Sequence, residues 1–148
     1  MRAVVQRVKR AQVAVEGRIV GRIGRGLMVL LGVAAYDTQA DAREIAGRVA
    51  RMRIFADQAG KMNLDLAAVG GELLVVSQFT LLANTSAGRR PSFTAAAPPD
   101  QARELYQYFL SLCLQTGIKT EEGEFGALME VELVNDGPVT FVLDSRSK

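Results

Sequence analysis

Arg2-Ala3-Val4-Val5-Gln6-Arg7-Val8-Lys9-Arg10-Ala11-Gln12-Val13-Ala14-Val15 leads through Glu16-Gly17 into Arg18-Ile19-Val20-Gly21-Arg22-Ile23. Valine-rich runs on either side of a two-residue turn signal predict a β-hairpin. The next run, Leu27-Met28-Val29-Leu30-Leu31-Gly32-Val33, is short and unbroken in its apolar character, which suits a buried central strand. Thr38 with Asp41 resembles a capping box at a helix start, and Ile45, Val49 and Met52 recur behind it at helical spacing. Arg53–Ala56 reads as a short strand and Asp57–Leu66, with Gly60, Asn63 and Asp65, as a loop. Glu72–Phe79 reads as the next strong strand.

Leu82–Pro99 is polar and punctuated by Gly88, Pro91, Pro98 and Pro99, so a long loop is expected there. A structureless loop of that length in a compact domain usually carries function. Asp100 can cap a second helix that runs to about Thr116, with Leu105, Phe109, Leu112 and Cys113 as its buried stripe and Gly117 as its stop. Met129, Val131 and Leu133 alternate with Glu130 and Glu132 as a half-buried strand. Val139–Leu143 is the last strand, and the turn signal Asn135-Asp136-Gly137-Pro138 separates the two. Mostly strands with two main helices give one α+β domain over residues 1–148. Its mixed sheet is expected to curl into a barrel-like form, because only two helices are present to close the core.

A chain of 148 residues favours one domain and buries a core without disulfides or metal staples. Cys113 is the single cysteine, so no internal disulfide forms and a reducing, cytoplasmic compartment is expected. Met1–Arg7 carries charges where a signal peptide needs its apolar stretch. No apolar run approaches the roughly 18 residues needed to cross a bilayer, so no membrane partner is expected. There is no histidine, which excludes a Ser-His-Asp triad, a Cys-His pair and a histidine zinc site. One cysteine excludes a cysteine-rich metal site. The expectation is a site with no metal and no cofactor, built from hydroxyls, carboxylates, Lys/Arg, backbone groups or the substrate itself.

The net charge of +2 hides a segregation. Arg2, Arg7, Lys9, Arg10, Arg18, Arg22 and Arg25 stand against Glu16 alone in the first 25 residues. Glu121, Glu122, Glu124, Glu130, Glu132 and Asp136 follow late in the chain without a base among them. The basic region either holds a phosphate backbone or is a solvated strand face that blocks edge-to-edge pairing.

Two segments stand out for chemistry. Ser77-Gln78-Phe79-Thr80 ends an apolar strand, where hydroxyls and backbone N–H groups are free to act. Thr80 as a nucleophile needs a base, and no histidine exists to serve. The alternatives are an oxyanion hole of backbone N–H groups, or merely a strand terminus with satisfied hydroxyls. Asn135-Asp136-Gly137-Pro138-Val139-Thr140 holds a Gly-Pro pair, a turn signal in its own right. Arg89-Arg90-Pro91-Ser92-Phe93 combines two cations, a rigid proline and an aromatic ring, either to clamp a nucleic-acid end or to anchor a solvated loop. Cys113 reads as core packing, Glu121-Glu122 as a solvated end, and Gly21, Gly24 and Gly26 as hairpin and bulge glycines.

Together these segments resemble the D-aminoacyl-tRNA deacylase family of the bacterial and eukaryotic type. The resemblance runs over essentially the whole chain, from Met1-Arg2-Ala3-Val4-Val5-Gln6-Arg7-Val8 to the last strand. Its most specific parts are Ser77-Gln78-Phe79-Thr80-Leu81, Gly88-Arg89-Arg90-Pro91-Ser92-Phe93, Phe125-Gly126-Ala127-Leu128-Met129 and Asn135-Asp136-Gly137-Pro138-Val139-Thr140, with Arg53-Ile54-Phe55 and Gly60-Lys61-Met62-Asn63 as further matches. The resemblance implies that family's fold, and a homodimer with its active site at the interface. It implies hydrolysis of the ester that joins a D-amino acid, or glycine, to tRNA. Ser77, Gln78 and Thr80 would then border the scissile ester, Phe79 would lie near the adenine, and Met129, Arg90 and Phe93 would help hold the substrate. Asn135, Gly137 and Pro138 would enter the partner's site, with a cis Gly137–Pro138 bond aiming backbone carbonyls at the substrate amino group. Backbone groups cannot read a side chain, so chirality would be tested by steric rejection of the L form.

Two other readings compete. A nucleic-acid-binding module without hydrolysis fits the basic region but leaves the two motifs idle. An esterase of small molecules uses the motifs but leaves the basic surface idle.

Overall fold

The computed structural model of the chain describes residues 1–147. β1 (Arg2–Val15) is the strand around which the sheet is organised, because its two edges carry three other strands. Its first half pairs antiparallel with β3 (Gly26–Gly32), and its second half pairs with β2 (Arg18–Ile23) on the same edge. The other edge pairs with β8 (Glu130–Asp144) along nearly its full length. β3 then pairs parallel with β6 (Glu72–Ser77), and β6 with β7 (Thr120–Glu122), which makes the sheet mixed. β4 (Phe55–Ala56) and β5 (Met62–Leu64) form a separate ribbon.

Two cores share this sheet. Ala3 and Val5 of β1 face one core with Leu27, Val29 and Leu31 of β3 and Leu73 and Val75 of β6. That core is covered by α1 (Gln39–Arg51) and α2 (Pro99–Gln115), through Ile45, Val49, Leu105 and Phe109. Val8, Ala11 and Val13 face the second core with Ile23, Met28, Leu74 and Val76. β3 and β6 are thus buried on both faces, as their unbroken apolar sequence predicts. The sheet curls around the second core until β2 meets β7. A Cβ on Gly21 would lie 2.4 Å from the carbonyl oxygen of Glu122, so only glycine lets that seam close.

Several sequence expectations are corrected. Strand β6 stops at Ser77, and Phe79–Leu82 forms a 3₁₀ turn. Gln78 N–H makes the last bond to the Leu31 carbonyl, after which the chain folds over Gly32, where a Cβ would meet Leu82 at 2.6 Å. The Arg53–Ala56 strand is confined to Phe55–Ala56, and β5 lies inside the expected 57–66 loop, held by the Arg53 guanidinium on Asn63. Pro98, not Asp100, takes the N-cap position of α2, without a side-chain bond, and Asp100 sits in the first turn, where a carboxylate suits the helix dipole. Glu121 and Glu122 belong to β7. Residues 135–138 are not a turn between two strands but a dislocation inside the single strand β8. Thr38 and Asp41 do form the capping box, with Asp41 accepting from the Thr38 N–H at 2.9 Å.

The fold offsets part of the charge segregation. β8 lies against β1, so Glu132 stands opposite Gln12 and Glu130 opposite Ala14. The Gln12 amide bonds Glu132 at 3.4 Å while its oxygen accepts from Arg22 at 3.0 Å. The acidic strand therefore interleaves with the basic hairpin.

Gly26 is not a turn glycine either: a Cβ there would sit 1.8 Å from the Glu72 carbonyl oxygen, between β3 and β6. Gly26→Ala is expected to cost about 3 kcal/mol, the upper end of overpacking penalties, read as a lowered urea midpoint with an unchanged slope.

Candidate functional site

The end of β6 opens into a cavity of about 620 Å³. Ser77, Gln78 and Phe79 form one wall, Phe93 a second, and Phe125 through Met129 a third. The parallel pairing of β6 between β3 and β7 puts Ser77 at this rim, and the 3₁₀ turn lifts Phe79 out to 55% exposure. Thr80 is exposed beside this wall, where its Oγ1 accepts from the Gln78 side-chain amide. That amide is the only side-chain partner of the Thr80 hydroxyl among the described residues. The Gln78 carbonyl accepts from Leu81 N–H at 3.2 Å, so the N–H groups of Phe79 and Thr80 open the turn without partners inside it.

The expected 82–99 loop contains a built hairpin. Asn84 and Ser92 exchange backbone hydrogen bonds at 2.8 and 2.9 Å, and the Asn84 side chain caps Ser86 at 2.9 Å. Phe93, next in sequence, packs edge-on against Phe79 with ring centroids 5.1 Å apart. Arg89 and Arg90 stand exposed at the tip and form no ion pair among the described residues. The hairpin thus carries two uncommitted cations on the segment that leads into Phe93.

Beneath the third wall, Tyr106 of α2 donates to the Val75 carbonyl at 2.9 Å, and its ring leans on Phe125 at 5.7 Å. Burial, reinforced by the nearby Glu122 charge, raises the Tyr106 pKa above its ordinary value, so the hydroxyl stays protonated. Arg103 lies over the Phe125 ring at 4.7 Å. Met129 seats its sulfur against Gly123, where a Cβ would come within 2.8 Å. Cys113 is buried away from the cavity lining, and burial pushes its thiol up to about 12, which leaves it unreactive at neutral pH.

Asn135, Gly137 and Pro138 lie elsewhere: none lines this cavity. They occupy the dislocation of β8, where the ladder with β1 slips between Gln6 and Val8 and again between Val8 and Arg10. The Asn135 side-chain amide donates to the Arg7 carbonyl at 2.8 Å and to the Val139 carbonyl at 3.1 Å. Arg7, whose side chain is 15% exposed, donates through Nε to the Asp136 carbonyl at 2.9 Å and through Nη1 to the Ile54 carbonyl. Gly137 and Pro138 are exposed, and the bond between them is cis. A Cβ on Gly137 would fall 2.2 Å from the Val139 nitrogen, so position 137 admits no side chain. The sequence counts Arg7 only among the basic residues and not as a brace, yet Val8 and Ala11, which face the same core, are spaced by three rather than two, a trace of the slipped ladder.

Fold and site define a class: an α+β protein whose cavity offers hydroxyls, an amide and aromatic rings at a strand end, with no histidine anywhere. The chain belongs to the D-Tyr-tRNA(Tyr) deacylase family, whose model matches residues 4–144. It is 58% identical over 146 residues to the D-aminoacyl-tRNA deacylase of Anaeromyxobacter dehalogenans, covering 99% of this chain and 98% of that one. It is 56% identical over 148 residues to that of Geobacter sulfurreducens, covering 100% and 97%. Among solved structures it is similar to one titled c-Myc DNA Unwinding Element Binding Protein, with a TM-score of 0.91 and 40% identity over 97% of this chain and 98% of that one. It also shares its fold with a probable eukaryotic D-amino acid tRNA deacylase, with a TM-score of 0.84 and 18% identity over 96% of this chain and 97% of that one.

The bracing role of Asn135 is testable. Asn135→Ala leaves two half-buried carbonyls without their donor and is expected to cost about 1–3 kcal/mol in urea unfolding. An unchanged midpoint would show that the dislocation holds without it.

Proposed function

We propose that this chain hydrolyses the ester of D-aminoacyl-tRNA, and of glycyl-tRNA, to free tRNA and amino acid in the cytoplasm, as a chiral proofreading step. The observation that carries the reading is the cavity beside Ser77, Gln78 and Phe79 in a member of this family. Its volume falls within the range of small-ligand sites.

In this reading the terminal adenine lies against Phe79, which Phe93 steadies from its edge. The aminoacyl group reaches toward Met129, and Arg90 meets a phosphate of the acceptor end. An aminoacyl ester is already activated, so a strong base is not needed. The Phe79 and Thr80 N–H groups stabilise the developing oxyanion, each donor being worth about 10²–10³ in rate. Thr80 and Gln78 position the ester, and the tRNA's own 2′-hydroxyl assists the attack. Thr80 meets an amide rather than a base, which favours positioning over nucleophilic attack.

Gly137 and Pro138 of a second copy complete the site. Two observations support this: the motif is exposed and stands apart from its own cavity. In addition, Leu30, Val4 and Val142 line up across β3, β1 and β8 as an apolar row, with Val142 67% exposed. Backbone carbonyls grip the amino group and the L side chain is rejected sterically, so a substrate without a side chain passes.

The name of the relative at 40% identity favours one other reading, nucleic-acid binding without hydrolysis. Matched D- and L-tyrosyl-tRNA separate the two. Rapid ester loss from the D form alone is expected; no loss from either, or equal loss from both, overturns the proposal.

Thr80→Ala is expected to keep kcat within about tenfold of the parent protein, since losing a true nucleophile costs on the order of 10⁴–10⁶. Loss on that scale in a folded variant with intact tRNA binding would make Thr80 the attacking group.

A further inference from the structure

Arg103 has no part in the reaction described above, nor in any ion pair among the described residues. It is exposed on the second turn of α2, directly after Ala102, which lines the cavity. Its guanidinium is held 4.7 Å from the centre of the Phe125 ring, and Phe125 also packs against Tyr106 at 5.7 Å. A guanidinium stacked on a ring keeps its in-plane N–H donors free, and that fork matches the oxygens of a phosphate. Asp100 and Glu104 are its nearest acidic neighbours in sequence, and neither engages it. Phe125 and Phe93 both line the cavity; Arg103 lies over the first, and the exposed, uncommitted Arg89 and Arg90 are on the hairpin that leads into the second.

We propose that Arg103 is a phosphate contact for the tRNA substrate, binding the internucleotide phosphate next to the terminal adenosine. The proposal rests on the deacylase reading and adds to it a residue, an anion and a location. The Phe125 ring preorganises the guanidinium, so little side-chain freedom is lost when the phosphate arrives. One such contact to a single strand lowers the salt slope of binding by about 0.7 when it is removed.

The test compares D-tyrosyl-tRNA with D-tyrosyl-adenosine, which has the same ester and adenine but no phosphate. Arg103→Gln retains a stem over Phe125 and removes the charge. It is expected to raise KM for D-tyrosyl-tRNA about fivefold to twentyfold, leave kcat near the parent value and flatten the salt dependence. Hydrolysis of D-tyrosyl-adenosine is expected to be unchanged, and Arg103→Lys is expected to recover part of the tRNA affinity. Equal losses on both substrates would reduce Arg103 to a packing partner of Phe125 and overturn the proposal. No loss on either overturns it as well. A parent protein that cleaves neither substrate overturns the deacylase reading and this contact with it, whereas cleavage of both with no change in the variant defeats the contact alone.

Discussion

The break in the β1–β8 ladder is the constraint on which the rest depends. In an uninterrupted strand every second side chain faces the same way, and β1 could serve only one core per face along its length. Two slips within residues 6–10 change that. Ala3 and Val5 go to the helix-covered core, and Val8, Ala11 and Val13 to the core inside the curl. The slips also free backbone carbonyls of both strands, those of Arg7, Asp136 and Val139. Asn135 and Arg7 satisfy them, and the stretch between Asn135 and Val139 is thereby held out from the sheet with Gly137 and Pro138 exposed. One irregularity thus sets both the architecture and the placement of a motif.

The cavity follows from a different interruption, where β6 gives way to the 3₁₀ turn over Gly32. A continued strand would have spent the Phe79 and Thr80 N–H groups on a ladder. The turn leaves them free and raises Phe79 to the rim, where Phe93 meets it. The absence of histidine is coherent with this construction. A site made of backbone donors and an amide-held hydroxyl suits a substrate that brings its own reactivity, and an aminoacyl ester with a neighbouring hydroxyl is such a substrate. The same site has little to offer an amide or an unactivated ester.

Much of the fold is legible because burial leaves a periodic trace. The apolar runs of β3 and β6 announce strands covered on both faces, and the Thr38–Asp41 capping box and the Gly117 stop mark helix ends with their own chemistry. What stays hidden is set by distant neighbours. β7 is acidic and short, and becomes a strand only because β6 offers it a parallel edge. Residues 135–138 carry an ordinary turn signal, and only pairing with β1 on both sides makes them part of one strand. Among site residues, Ser77, Gln78, Phe79, Phe93 and Met129 converge on one cavity, whereas Arg90 sits on the hairpin tip and Asn135, Gly137 and Pro138 stand apart. Sequence order marks the two groups as special, but their separation within one chain is a matter of topology.

Charge carries the last step. The basic start of the chain suggests a phosphate-binding face, yet the sheet lays Glu130 and Glu132 of β8 beside the β1–β2 hairpin, and Arg22 is already engaged by Gln12. Counterion release needs cations that are free to neutralise phosphates, so a face that mixes both signs is a poor platform for nucleic acid. Lys9, Arg10 and Arg18 of that face form no ion pair among the described residues, but they stand away from the cavity lining, whereas the hairpin tip and α2 carry uncommitted guanidiniums on elements that also supply Phe93 and Ala102 to the cavity. The proposed phosphate contacts are therefore those next to the site. In the proposed reading, these contacts grip a tRNA at its acceptor end, close to the bond to be cut.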